Sequence, residues 1–299
     1  MNAGRRLHAQ GSVVAIGVFD GVHRAHRRII EYAVRRARAA RLKCIVLTFW
    51  PHPAGEQSLY SLQHRRRIIA ELGVDRCVVV RFTRRFASLN PESFIRDILV
   101  KKLHARLVCV GENFRFGRSA AGTTATLRRY AGRWGYAVRV FGVMKHRGRT
   151  ISSTAIRSLI AVGRIAEAGR LLGRPVSVFG TVVRGDSRGR GLGFPTANID
   201  PHHEILPPPG VYAVRVALGT RGTAGICYIG TRPTFKGRSQ RISVEVHLFG
   251  FSGDLYGRDL ELFFVRRIRG DKKFPSVQAL VERMRRDSLL AKRLLSRHQ

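Results

Sequence analysis

Residues 16–26 read I-G-V-F-D-G-V-H-R-A-H, and what flanks them decides the fold. A short apolar run, 13–16, precedes the stretch, and a long Ala/Arg/Ile pattern with helical spacing, about 24–42, follows it. The stretch is therefore a turn from a first strand into a helix. The first turn of a helix has free backbone N–H groups and the positive end of the macrodipole, which together hold a phosphate. Gly17 and Gly21 leave room for a ligand against the backbone. His23 and His26, three residues apart, share one helical face. Two surface histidines in a turn are the plain alternative; the order strand, glycines, paired histidines, helix speaks against it.

Outward from there the alternation continues. A β-branched run over 43–50 ends in T-F-W-P-H-P (48–53), where Pro51 and Pro53 forbid helix and fix a loop. Helix is expected over 62–72, strand over 76–81, and helix again to about 102, with Asn90 as N-cap and Pro91 at the first helical position. A strand at 106–110 runs into G-E-N-F-R-F-G (111–117), followed by helix over 122–135 and strand over 136–143. Strands alternating with helices imply an α/β domain: an open, mostly parallel sheet with helices on both faces and ligands at the carboxyl ends of the strands. The three irregular loops just quoted all fall at that end. I-S-S-T-A-I-R (151–157) then opens a short helix. Its hydroxyls, Ser152, Ser153 and Thr154, are either N-caps or, with Arg157 one turn on, phosphate contacts.

After a helical connector over 163–173 the pattern changes. Short β-branched strands at 176–184, 210–218, 223–230, 242–249 and 260–267 precede a single helix over 275–295. Successive strands without intervening helices imply a closed antiparallel barrel with a terminal helix against it. The outer face of that helix is basic and reads as solvated surface. G-D-S-R-G-R-G-L-G-F-P-T-A-N (185–198) lies between the first two strands. Its glycines let backbone N–H groups approach phosphates, or simply make a hairpin loop. Thr196 and Asn198 alternate on an extended segment and so point to one side. Glu245, in V-E-V-H-L, sits on a strand whose alternation permits either a solvent-facing or a catalytic carboxylate, and His247 shares its face.

The 299 residues have room for two domains, and no apolar run is long enough to span a bilayer or serve as a secretory signal, so a cytoplasmic location is expected. Cys44, Cys77, Cys109 and Cys227 are widely spaced without a C-x-x-C pair, which points to buried thiols and indicates neither zinc nor a disulfide framework. Net charge is +36, from 55 Lys and Arg against 19 Asp and Glu. The surplus is spread over both halves, with 30 basic and 8 acidic residues over 1–150 and 25 and 11 over 151–299. There is no basic tail, so nonspecific nucleic-acid binding at low salt is expected rather than a dedicated nucleic-acid function.

Taken in order, G-V-F-D-G-V-H-R-A-H, T-F-W-P-H-P, G-E-N-F-R-F-G, I-S-S-T-A-I-R, L-G-F-P-T-A-N and V-E-V-H-L resemble the prokaryotic bifunctional riboflavin kinase and FAD synthetase family over about 13–287. The resemblance implies a doubly wound, Rossmann-like FMN adenylyltransferase domain over 1–172 and a β-barrel riboflavin kinase domain over 173–299. Riboflavin, FMN and ATP are the implied ligands, with Mg²⁺ at each site and FAD as final product. It implies that Gly17, Phe19, Asp20, Gly21, Ser153, Thr154 and Arg157 hold ATP in the first domain with His23 and His26 at the reacting phosphate. Phe49, Pro51, Pro53 and Asn113 would line its flavin or adenine side. In the second domain it implies Gly185, Arg190, Gly191, Gly193, Phe194 and Pro195 around ATP, Thr196 and Asn198 on Mg²⁺, Glu245 as base and Arg269 near the flavin. Two departures stand out. The usual H-x-G-H has Ala25 in place of glycine, harmless in helical geometry and obstructive where φ > 0 or backbone contact with phosphate is needed. Ala155 replaces a frequent arginine. These leave open a kinase with an impaired adenylyltransferase half, and more remotely a basic RNA-binding protein on the same scaffold.

Overall fold

The computed structural model describes residues 11–53, 55–185, 191–219, 221–232 and 241–296. The chain divides into two compact units, the first reaching to Gln57 and resuming over Leu62–Ser152, the second taking Ser58–Ser61 and the chain from Ser153 onward.

In the first unit β1 (Ser12–Ile16) leads to α1 (Arg24–Ala39), β2 (Lys43–Trp50), α2 (Leu62–Glu71), β3 (Arg76–Arg81) and α3 (Arg84–Ala87). There follow α4 (Pro91–Ser93), continued as a π-helical stretch (Phe94–Lys102), then β4 (Ala105–Gly111), α5 (Thr124–Trp134), β5 (Ala137–Phe141) and a hairpin of β6 (Lys145–His146) and β7 (Arg149–Thr150). The five long strands form one parallel sheet in the order β3-β2-β1-β4-β5. Every residue of β1 is buried, as a central parallel strand covered on both faces requires. In α1 the buried positions Ile29, Ile30, Ala33, Val34 and Ala37 trace one helical stripe. Val14, Ile16, Leu47, Leu99, Val108 and Val110 form the centre of the core. Asn90 caps α4 as its spacing predicts, accepting from the Ser93 N–H at 2.7 Å with Pro91 in the first turn. Gly135, at φ 65°, ends α5. Two details differ from the sequence reading: α1 stops at Ala39, where Arg41 turns left-handed at φ 55°, and 94–102 adopts the wider π pitch, which nine residues of periodicity do not distinguish from α.

The second unit opens with α6 (Ser153–Ala161) and α7 (Ile165–Leu172), which Gly173 terminates at φ 78°. The sequence reading ends the first domain after 172, but both helices pack with the second unit, α7 burying Ile165, Ala168, Leu171 and Leu172. The strands β8 (Ser177–Val183), β9 (Ala197–Asp200), β10 (Gly210–Leu218), β11 (Arg221–Arg232), β12 (Arg241–Leu248) and β13 (Asp259–Gly270) close an antiparallel barrel in the order β10-β11-β12-β9-β8-β13. Five strands are expected from sequence and six are present among the described residues. The sixth, β9, is the P-T-A-N segment, which pairs with both β8 and β12 and so closes the cylinder. The terminal helix α8 (Val277–Ser296) buries Asp287, Ala291 and Leu295, the two apolar residues packing with Ala213, Ala224, Ile226 and Val265 of the barrel. Glu204 is buried and accepts from the Phe179 N–H at 3.0 Å and the Ser61 N–H at 2.9 Å, which holds the short Ser58–Ser61 segment in this unit.

Candidate active sites

In the parallel sheet the order reverses beside β1, and the loops leaving β1, β2 and β4 lie at adjacent carboxyl ends. The β1 loop is tightly wound, with Phe19, Gly21 and Val22 at φ of 51°, 76° and 39°. Phe19 and Asp20 are both buried. His23, 3% exposed, is the N-cap of α1, its Nδ1 accepting from the His26 N–H at 3.4 Å. The two imidazoles stack with centroids 3.6 Å apart at 18°, and Phe19 meets His26 edge-on at 5.3 Å. No acidic residue stands in the first turn of α1. Arg24 is there instead, its Nη1 bonded to His146 Nδ1 at 3.1 Å. Ala25 lies inside the regular helix, where its methyl is at home.

At the exit of β2, Phe49 is buried against the rings of Phe82 and Phe86, at 6.2 and 6.0 Å, while Pro51 and Pro53 are exposed. Asn113 is exposed in the β4 loop. Ser153, Thr154 and Arg157 are in the second unit, on the first two turns of α6. Sequence reasoning missed Arg65 on α2. It is 1% exposed and donates from Nη1 to the Val18 carbonyl at 2.6 Å and from Nη2 to the Phe49 carbonyl at 3.4 Å. The available signal was its place on the buried stripe of α2 with Ile68 and Ile69; the run H-R-R-R hid it among surface arginines.

In the barrel, a cavity of about 360 Å³ is lined by Thr196, Phe194, Glu245, His247, Arg269 and Tyr228, and by Leu280, Met284, Asp287 and Ser288 of α8. Glu245 is paired across the ladder with Asn198 on one side and Tyr228 on the other, so the three side chains share a face. The Thr196 hydroxyl donates to Glu245 Oε2 and the Ser243 hydroxyl to Oε1, each at 3.4 Å. His247 Nδ1 donates to the Pro195 carbonyl at 2.8 Å and lies between the rings of Phe194 and Phe249. Gly185 abuts the Asn198 amide, which a Cβ there would displace. Gly193 turns at φ 78°; Gly191 is exposed, and Arg190 lies outside the described residues. Arg269 donates to Asp287 Oδ2 at 2.7 Å, Arg283 to Oδ1 at 2.9 Å, and the Arg269 guanidinium stands 5.3 Å from the Phe274 ring centroid. The Tyr228 hydroxyl donates to Asp271 Oδ1 at 3.1 Å, and burial, with Asp271 beside it, pushes its pKa up to about 12. Tyr228, Asp271 and the α8 residues had no sequence signal beyond lying near the expected motifs.

Cys44, Cys109 and Cys227 are buried free thiols and Cys77 is half-buried. Among the described residues no cluster of three His, Cys, Asp or Glu side chains could hold a metal, and no helix is long and apolar enough to cross a membrane.

Comparison with known proteins also divides the chain in two. A family model for FAD synthetase matches residues 6–155, and one for riboflavin kinase matches 172–295. The bifunctional riboflavin kinase/FMN adenylyltransferase of Escherichia coli K12 is 39% identical over 291 residues, covering 95% of this chain and 92% of the relative. The Bacillus subtilis protein of that name is 34% identical, covering 95% and 93%. A crystal structure described as a macrolide-efflux protein from Streptococcus pneumoniae superposes with a TM-score of 0.81 at 32% identity, covering 95% of this chain and 94% of that one.

Proposed function

The chain belongs to the family of bifunctional riboflavin kinases/FMN adenylyltransferases, phosphorylating riboflavin to FMN and adenylylating FMN to FAD with ATP, and from that premise we propose which side chains carry each step. We take the functional modules as 1–172 and 173–299, with the helical connector over 163–173 at their boundary.

Adenylylation begins from a phosphate oxygen of FMN, already ionised at neutral pH, attacking the α-phosphorus of ATP as pyrophosphate leaves. No general base is needed. The demand is for cationic and N–H donors where charge moves onto the leaving group. His23 and His26 at the N-terminus of α1 answer it, His23 held in place by the Nδ1 contact that caps the helix. Gly17, Phe19, Asp20 and Gly21 shape the turn that presents them. Phe49, Pro51, Pro53 and Asn113 belong to the flavin or adenine side, and Ser153, Thr154 and Arg157 to the triphosphate on the strength of the family resemblance. Ala25, inside the helix, imposes no conformational obstacle, which favours an active first module over a kinase-only protein.

Phosphorylation begins from a primary hydroxyl of riboflavin, which sheds its proton as it attacks the γ-phosphorus. Glu245 takes that proton, held by the Thr196 and Ser243 hydroxyls in the wall of the cavity. This placement of one carboxylate beside the P-T-A-N hydroxyl carries the kinase reading. Thr196 Oγ1 and the Asn198 side-chain oxygen are neutral hard oxygens of the kind Mg²⁺ takes, and the space at Gly185 keeps the Asn198 amide in position. They would hold the ion with ATP, and bound there it neutralises phosphate charge. Gly185, Arg190, Gly191, Gly193, Phe194 and Pro195 form the nucleotide side, and Arg269, fixed by Asp287, the flavin side. The protein acts in the cytoplasm, and its charge surplus binds polyanions nonspecifically at low salt.

The test is a chromatogram of flavin products from riboflavin, ATP and Mg²⁺. Wild type yields FMN and then FAD, whereas His23→Ala and His26→Ala stop at FMN. FMN that accumulates without FAD in wild type would mean that the first module is inactive.

A further inference from the structure

Arg65 differs from its neighbours Arg66 and Arg67 in being buried. It is 1% exposed, on the inner stripe of α2 with His64, Ile68 and Ile69. Burying a cation is costly, and with Nε buried without a hydrogen-bond partner among the described residues the two Nη groups carry what compensation there is, so what they bond identifies what the residue is for. Its acceptors are not carboxylates of a surface network but two main-chain carbonyls. Nη1 reaches Val18 at 2.6 Å, where the chain turns into F-D-G-V-H, and Nη2 reaches Phe49 at 3.4 Å, where it turns into W-P-H-P. The guanidinium also lies 5.4 Å from the centroid of the Trp50 ring. Thr48 supports the same junction, its hydroxyl donating to the Val18 carbonyl at 2.8 Å. Burial lowers the proton affinity of Arg65, and the buried Asp20 of the histidine turn offsets this.

We propose that Arg65 is a positioning residue for adenylylation: its planar fork spans the carbonyls that open the histidine turn and the W-P-H-P turn, fixing their separation as both substrates enter. Two carbonyls a fork apart are a task for guanidinium; an ammonium is a point donor that satisfies one of them or sits between. Arg65 touches neither substrate; it acts through the two loops. Chemistry held by such loops is sensitive to ångström displacements, because near-attack alignment is lost before binding is. The inference rests on the adenylyltransferase reading of the first unit.

The experiment uses Arg65→Lys and Arg65→Gln in the full chain, the second providing a reading should the first be unstable. Each is assayed for FAD formation from FMN, FMN formation from riboflavin, and thermal midpoint. The expected result is a fall in adenylylation kcat of about tenfold or more, FMN and ATP KM values nearly unchanged, and riboflavin phosphorylation and midpoint close to wild type. Wild-type adenylylation by a folded variant overturns the proposal. So does a loss of adenylylation that only tracks a lowered midpoint, which would make Arg65 a packing residue. His23→Ala in the same assays separates the premise from the inference: if it too forms FAD normally, the reading of the site has failed and the role of Arg65 with it.

Discussion

At residue 25 the structure answers a question that sequence leaves open. Whether alanine obstructs a turn where the resembled motif, H-x-G-H, has glycine depends on φ, and the left-handed positions of this loop are Phe19, Gly21 and Val22, with residue 25 inside the helix. Ala25→Gly is therefore expected to leave FAD formation unchanged and to lower stability by about 0.5–1 kcal/mol through lost helix propensity, measurable by denaturant titration. The placement of the two histidines at the start of a helix and of Glu245 beside Thr196 was legible from sequence because each sits in a motif whose order and spacing limit the alternatives. Arg65 was not, since one buried guanidinium in a run of three looks like its solvated neighbours. Tyr228 escaped as well: it reaches the cavity through cross-strand register with Glu245, a relation between residues far apart in the chain.

Among the elements, alternation of strand and helix revealed the parallel sheet, and the change at residue 176 revealed the barrel. A four-residue strand inside a glycine-rich stretch has too little periodicity to be read, so β9 appeared only as an extended segment although it closes the cylinder. Its position explains Gly185, whose missing Cβ leaves space for the Asn198 amide. Gly185→Ala is expected to displace Asn198, with overpacking of about 1–3 kcal/mol and a raised ATP KM in the kinase assay alone. Helix α8 was foreseen as a cover with a solvated outer face, but its inner face also supplies a wall of the cavity. Asp287 on that wall fixes Arg269, and the loss of a charged hydrogen bond of about 1.5–3 kcal/mol predicts about a tenfold higher riboflavin KM for Asp287→Asn. Adenylylation of supplied FMN should not change.

For the whole molecule, burial sets a limit on the alkaline side. It pushes the thiols of Cys44 and Cys109 up to about 12 from 9.0, and the phenols of Tyr136 and Tyr212 up to about 12 from 10.0. The folded chain thus keeps protons that the unfolded chain releases. Stability is complete below about pH 9 and falls as pH rises toward 12, which denaturant midpoints at pH 7 and pH 10 will register as a lower value at pH 10.

The larger division is chemical, since the phosphate nucleophile of the first module is ionised before it binds and the alcohol of the second is not. The measurement that tests this most directly is the flavin product profile of Glu245→Gln. Given riboflavin, it should form FMN about a hundredfold or more slowly, the usual contribution of a general base; given FMN, it should form FAD at the wild-type rate. Equal loss of both steps, or normal FMN formation, would contradict the account.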